Sequence, residues 1–222
     1  MAERRAPRSN GDGAVSNTLG VRLRESRTDQ GFSLREMARR LDVSPSLVSQ
    51  IETGKIQPSV RTLYAIVSQL GVSLDAIFDQ TSSLQAAPTA KPTGSRRGTP
   101  SQETGMAGDG GFVQRAADRA GIDLETGVRW ERMTTRNEPD IEFLFAIYPP
   151  GSESAPADAL VRHNGREFGV VLTGKLGITI GFEDHVLAPG DSVSFDSTTP
   201  HRLHNDGREP VTAVWVVVNR RG

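Results

Sequence analysis

The chain has 222 residues, 36% hydrophobic and 24% charged, with a formal net charge of −1, which suits one large domain or two small ones with buried cores. It contains no cysteine, which excludes a disulfide framework, a thiolate zinc finger and a thiol nucleophile. Even Val214–Val218 is far too short to span a membrane, and the charged start from Met1 to Arg8 leads into no apolar stretch of the secretory kind, so a cytoplasmic protein without membrane contact is expected.

The small net charge averages unlike segments. Residues 1–80 carry 11 basic against 9 acidic side chains, 81–110 carry 3 against 2, and 111–222 carry 12 against 16. The first segment is thus slightly basic and the last distinctly acidic, so the overall figure does not argue against a nucleic-acid partner.

Residues 1–15 read as a disordered arm, and residues 16–80 as a bundle of five short helices. Leu19 and Leu23 are spaced for one helical face. Ser33-Leu34-Arg35-Glu36 fits a capping box, with Ser33 as cap and Glu36 returning the bond. Behind it Leu34, Met37, Ala38 and Leu41 point inward, with Arg35 and Arg39 outward. Asp42-Val43 forms a tight turn, and Ser44-Pro45 starts a third helix with a cap and an N1 proline. That helix ends near Thr53 before Gly54. Leu63, Ile66, Val67 and Leu70 mark a fourth helix, and Leu74, Ile77 and Phe78 a short fifth.

The third helix carries the information. Leu47, Val48 and Ile51 form one side, while Pro45, Ser46, Ser49 and Gln50 share the other. Short hydroxyl side chains let a backbone approach closely, and an amide can pair with adenine in a major groove. The run Ser33 to Lys55, followed by Pro58-Ser59 and Leu63, resembles the XRE (Cro/C1-type) helix-turn-helix family over about 60 residues. The resemblance implies that Ser46, Ser49 and Gln50 face bases with Pro45 close by. It also implies that the helix start at Ser33, with Arg35, Arg39 and Lys55, grips phosphates, and Ser44 caps the reading helix beside them. Asp42 stands where that family often has glycine; aspartate tolerates a left-handed backbone, so the turn is expected to survive.

Residues 81–110 are rich in Ser, Thr, Gly, Ala and Pro and read as a flexible linker, with a reach of roughly 30 Å. From residue 111 the pattern becomes short β runs punctuated by glycine, as in a sandwich or jelly-roll barrel. The predicted strands are 127–134, 141–148, 168–172, 176–181, 185–187, 191–196, 201–204 and 211–219. Glu167, six residues and Gly174, then Gly190, ten residues, His201, three residues and Asn205, resemble the two motifs of the cupin family. The expected fold class is therefore α plus all-β in separate domains, a five-helix helix-turn-helix unit followed by a cupin β-barrel.

That resemblance implies a site built from His163, Glu167 and His201, with Val161 where the family commonly has a further histidine. Three such ligands can hold a divalent ion, zinc or another transition metal. The same trio can contact an organic ligand directly, or simply satisfy itself inside the barrel. A helix-turn-helix followed by a cupin implies a transcriptional regulator that binds a double-stranded DNA operator as a homodimer and responds to a small-molecule effector. A metal-dependent enzyme tethered to DNA and an antitoxin-like module are the alternatives.

Overall fold

A computed structural model describes residues 12–78 and 111–219, with side chains from Leu19 onward. The linker 81–110 and residues 1–11 of the expected arm lie outside the described residues. Helix α1 (Asp12–Asp29) begins within the stretch read as an arm, so the first helix starts earlier than expected. It is followed by α2 (Leu34–Leu41), α3 (Pro45–Glu52), α4 (Val60–Leu70) and α5 (Leu74–Phe78).

Local chemistry sets the helix ends. The hydroxyls of Ser33, Ser44 and Ser59 accept from the backbone N–H groups of Glu36, Leu47 and Thr62, capping α2, α3 and α4. Only half of the expected capping box forms, because the Glu36 carboxylate turns away to bond Arg39 and Arg40. Asp42 takes the left-handed conformation at φ 55°, as the substitution for glycine requires, and the α2–α3 turn is intact.

The helices pack through Leu23, Met37, Val48, Ile51, Leu63 and Leu70, all buried. Gly20 lets α1 approach α3: a Cβ there would lie 2.4 Å from the Ile51 carbonyl oxygen. An unanticipated buried ion pair fixes the same junction. Arg27 of α1 donates from Nε to Glu52 Oε1 at 2.5 Å and from Nη2 to Oε2 at 3.0 Å, and its Nη1 donates to the Phe32 carbonyl. The end of α3 is thereby tied to α1.

The second unit opens with a 3-10 turn, Ala116–Asp118, and contains β1 (Gly121–Asp123), β2 (Arg129–Arg132), β3 (Ile141–Tyr148), β4 (Arg166–Thr173), β5 (Leu176–Ile180), β6 (Glu183–Leu187), β7 (Ser192–Asp196), β8 (His201–His204) and β9 (Val211–Val218). Every paired strand is antiparallel to its neighbour, in a six-stranded sheet of order β1-β2-β3-β9-β4-β7 and a three-stranded sheet of order β6-β5-β8. The eight expected strands all occur; β1, only three residues long, is additional. Alternation along β3 and β9 sends Leu144, Ala146, Tyr148, Ala213, Trp215 and Val217 inward onto Leu176, Ile178 and Leu203 of the smaller sheet.

Helix α4 also meets the barrel. The Tyr64 hydroxyl donates to Glu142 of β3 at 2.9 Å, the Glu138 amide donates to Asp75 of α5 at 2.6 Å, and the Glu125 amide donates to the Pro58 carbonyl at 3.1 Å.

Candidate functional site

Two sites emerge, one on each unit. On the helical unit, Val48 and Ile51 anchor α3 while Pro45, Ser46 and Gln50 are exposed and Ser49 is half-buried. Gln50 lies against Ser46, amide to hydroxyl, at 3.4 Å along one face. Arg35 and Lys55 are exposed at either side, and Arg39 is exposed although paired with Glu36. The exposed face of α3 thus runs from Ser44, Pro45 and Ser46 at its start to Gln50 in its last turn, with Ser33 and Arg35 at the start of α2. The two backbone-donor helix starts suit phosphate, and the α3 face suits base edges.

On the barrel, strands of the two facing sheets and the segment before β4 converge the second set. Glu167 lies on β4, His201 begins β8, and His163 sits in the segment just before β4. His163 Nε2 lies 3.1 Å and His201 Nε2 3.2 Å from Glu167 Oε1, and the three ligand atoms are within 4.8 Å of one another. The rings are oriented from behind: His163 Nδ1 pairs with the Asn164 carbonyl at 3.1 Å and His201 Nδ1 with the Thr199 carbonyl at 2.9 Å. Trp215 Nε1 donates to Glu167 Oε2 at 2.7 Å, so one carboxylate oxygen is held and the other faces the imidazoles. Trp215 fits because its β4 partner is Gly169, where a Cβ would lie 2.1 Å from the indole ring.

Burial opposes ionisation throughout this cluster, and partners decide the outcome. For His163, desolvation is outweighed by Glu167, so its pKa rises. His201 is pulled down chiefly by burial, with Glu167 only partly opposing. Glu167 stays below the usual carboxylate range because both histidines and Trp215 outweigh its desolvation. The donors fit a metal: His163 Nε2 and Glu167 Oε1 are buried without a hydrogen bond, and both Nε2 atoms converge on the carboxylate. Such an ion would act as a Lewis acid or bridge to a bound ligand. The space beside the trio is only about 20 Å³, room for one ion or water.

Val161 is buried and pairs through its backbone with His201, so the position of a common fourth ligand is apolar wall. His185 is an exposed strand residue, and His204 packs over Gly177 with Nδ1 2.8 Å from Asp206.

Sequence reasoning overlooked two residues here. Glu142 lies on β3 directly across Val217 from Glu167 and is buried. Burial raises its pKa to about 7 against the opposing Tyr64 hydrogen bond and the His163 charge. Tyr64, from α4, stacks on His163 with ring centres 4.0 Å apart and planes 7° apart, and meets Trp130 edge-on at 5.8 Å. The signal for Glu142 was legible: a carboxylate in phase with Leu144, Ala146 and Tyr148 on an otherwise apolar strand.

Comparison with known proteins agrees with both units. A helix-turn-helix family model matches residues 23–77 and a cupin-domain model matches 144–217. The HTH-type transcriptional regulator PuuR of Escherichia coli is 24% identical over 186 residues, 84% of this chain and 86% of that protein. The prophage-derived HTH-type regulator YonR of Bacillus subtilis is 36% identical over 63 residues, 28% of this chain and 58% of that protein. The crystal structure of an HTH_3 family transcriptional regulator from Vibrio cholerae superposes with a TM-score of 0.61 at 18% identity, covering 95% of this chain and 99% of that one, which supports the two-domain fold. Among the described residues no helix is long and apolar enough to cross a membrane. The chain thus joins a helix-turn-helix domain to a C-terminal cupin domain and is similar over most of its length to the transcriptional regulator PuuR.

Proposed function

We propose that the protein is a cytoplasmic, sequence-specific DNA-binding regulator whose barrel senses a small molecule through His163, Glu167 and His201, with a divalent metal held by the same three residues. The observation that carries the DNA-reading assignment is the face of α3: Pro45, Ser46 and Gln50 exposed opposite buried Val48 and Ile51, on a helix capped by Ser44. Ser46, Ser49 and Gln50 contact bases, with Pro45 beside them, while Ser33, Arg35, Arg39 and Lys55 hold the phosphates. The proposed domains are a reader over 16–80, its first helix reaching back to Asp12, a connector over 81–110 and a sensor over 111–222.

One short reading helix covers too few bases to select a site alone, so the regulator acts as a homodimer on paired half-sites. The outer face of the large sheet supports that arrangement. Phe168, Leu172, Ile141 and Val218 are exposed there, around a shallow apolar cleft lined by Val170, Val193, Val214 and Val216.

The test is selection of bound fragments from genomic DNA by full-length protein at moderate salt. Enrichment of a defined sequence is expected; uniform, salt-sensitive retention of all fragments contradicts the proposal.

A further inference from the structure

Tyr64 belongs to the reader, yet it occupies the mouth of the sensor. Its ring lies flat on His163 at 4.0 Å, its edge meets Trp130, and its hydroxyl donates to the buried Glu142 at 2.9 Å. With the ring in place, the barrel interior beside the trio offers about 20 Å³. That space admits one ion or water and no organic molecule.

Two larger clefts border the same ring. One cleft of about 310 Å³ runs between α4, the start of α5 and the β3 rim, where Ser68, Ser73, Glu142 and Asn219 line it. A second, of about 340 Å³, lies between α2, α4 and the segment before β4, lined by Arg40, Arg61, Gln69 and Arg162. Tyr64 and His163 border both. Each cleft is of the size that small ligands fill, and neither reaches Glu167 or His201 while Tyr64 stays.

We infer that Tyr64 is an interdomain stopper: an organic effector that reaches Glu167 and His201 must take the place of the Tyr64 ring, and in doing so detaches α4 from the barrel. The inference rests on the regulator reading above and supplies its transmission step. The two states differ in a definite set of contacts. In the closed state the reader is tied to the barrel by Tyr64 on His163, Trp130 and Glu142, beside the Asp75–Glu138 and Pro58–Glu125 hydrogen bonds. In the open state the effector holds the first set. A ligand that competes with an internal group for one position favours one domain arrangement over the other by its differential affinity.

The test uses full-length protein and two readouts that need neither DNA nor metal. Accessibility of His163 is followed by diethyl pyrocarbonate modification and mass spectrometry, with the exposed His185 as internal reference. Domain separation is followed by electron–electron resonance between spin labels at Gln30→Cys and Glu183→Cys, both exposed positions in a chain without other cysteine. Tyr64→Ala is expected to raise the His163-to-His185 rate ratio at least tenfold and to lengthen and broaden the label distance. Tyr64→Phe, which keeps the ring volume and so preserves the fold, is expected to give an intermediate rise through loss of the tie to Glu142. Ratios at the wild-type level in both variants overturn the stopper. A raised ratio with an unchanged label distance overturns the coupling between domains. Failure to enrich any DNA sequence instead sinks the regulator reading and leaves these two readouts to stand or fall separately.

Discussion

Trp215 and Glu167 are joined by a 2.7 Å hydrogen bond from indole Nε1 to carboxylate Oε2, across neighbouring strands β9 and β4. The bond leaves Glu167 Oε1 as the atom that faces His163 and His201. Trp215→Phe keeps most of the packing and removes the donor. Metal affinity in the full-length protein, measured by titration with cobalt, is expected to fall 10- to 100-fold. An unchanged affinity would show that the indole bond does not orient the site.

The buried Arg27–Glu52 pair ties α1 to the end of α3. Glu52→Ala leaves a guanidinium at the helix junction without its carboxylate. The expected cost is about 3–5 kcal/mol of stability in the helical unit, read from its chemical denaturation midpoint. A loss below about 1 kcal/mol would mean the pair is solvent-relaxed and contributes little.

Gln50 is exposed in the last turn of α3, and an amide there can pair bidentately with N6–H and N7 on the major-groove edge of an adenine. Gln50→Ala is expected to weaken binding to the selected sequence by about 1–3 kcal/mol and to relax the preference at one base position. Lys55→Ala should instead weaken binding to all sequences alike and shallow the salt dependence. Fluorescence anisotropy over a salt series separates the two; identical behaviour of both variants contradicts the assigned roles.

Glu142 has a pKa raised to about 7 by burial, above the usual carboxylate value of 4.5. The folded protein therefore holds this proton more tightly than the unfolded chain, and stability is lost as pH rises from about 4.5 through 7. Glu142→Gln keeps an acceptor for Tyr64 but carries no charge. The variant is expected to gain on the wild type by roughly 3 kcal/mol between pH 4.5 and 8. Melting curves at several pH values check this, and a constant offset between the two proteins would refute it.

Much of this architecture was legible because local rules and tertiary packing agreed. Ser44-Pro45 and Gly54 bounded α3, and the alternation of Val211–Val218 marked β9. His201 is far enough from His163 and Glu167 in sequence that its convergence with them came from a family resemblance, which the packing of the two sheets then realised. What escaped notice depends on long-range contacts. Glu36 could bond back to its cap or forward to two arginines, and two charged partners won. Glu52 carries no sign of burial in the local sequence, because its partner Arg27 lies 25 residues earlier. Tyr64 shows no pattern of its own along α4, since its partners Glu142 and His163 lie beyond the connector.

The central claim is that α3 reads DNA in a paired arrangement, and hydroxyl-radical footprinting of full-length protein on an enriched fragment tests it most directly. The account predicts two protected half-sites with centres about 34 Å, one helical turn, or a multiple of it apart, both lost in a Gln50→Ala, Ser46→Ala double variant. A single protected site, or protection that follows no sequence, would contradict it.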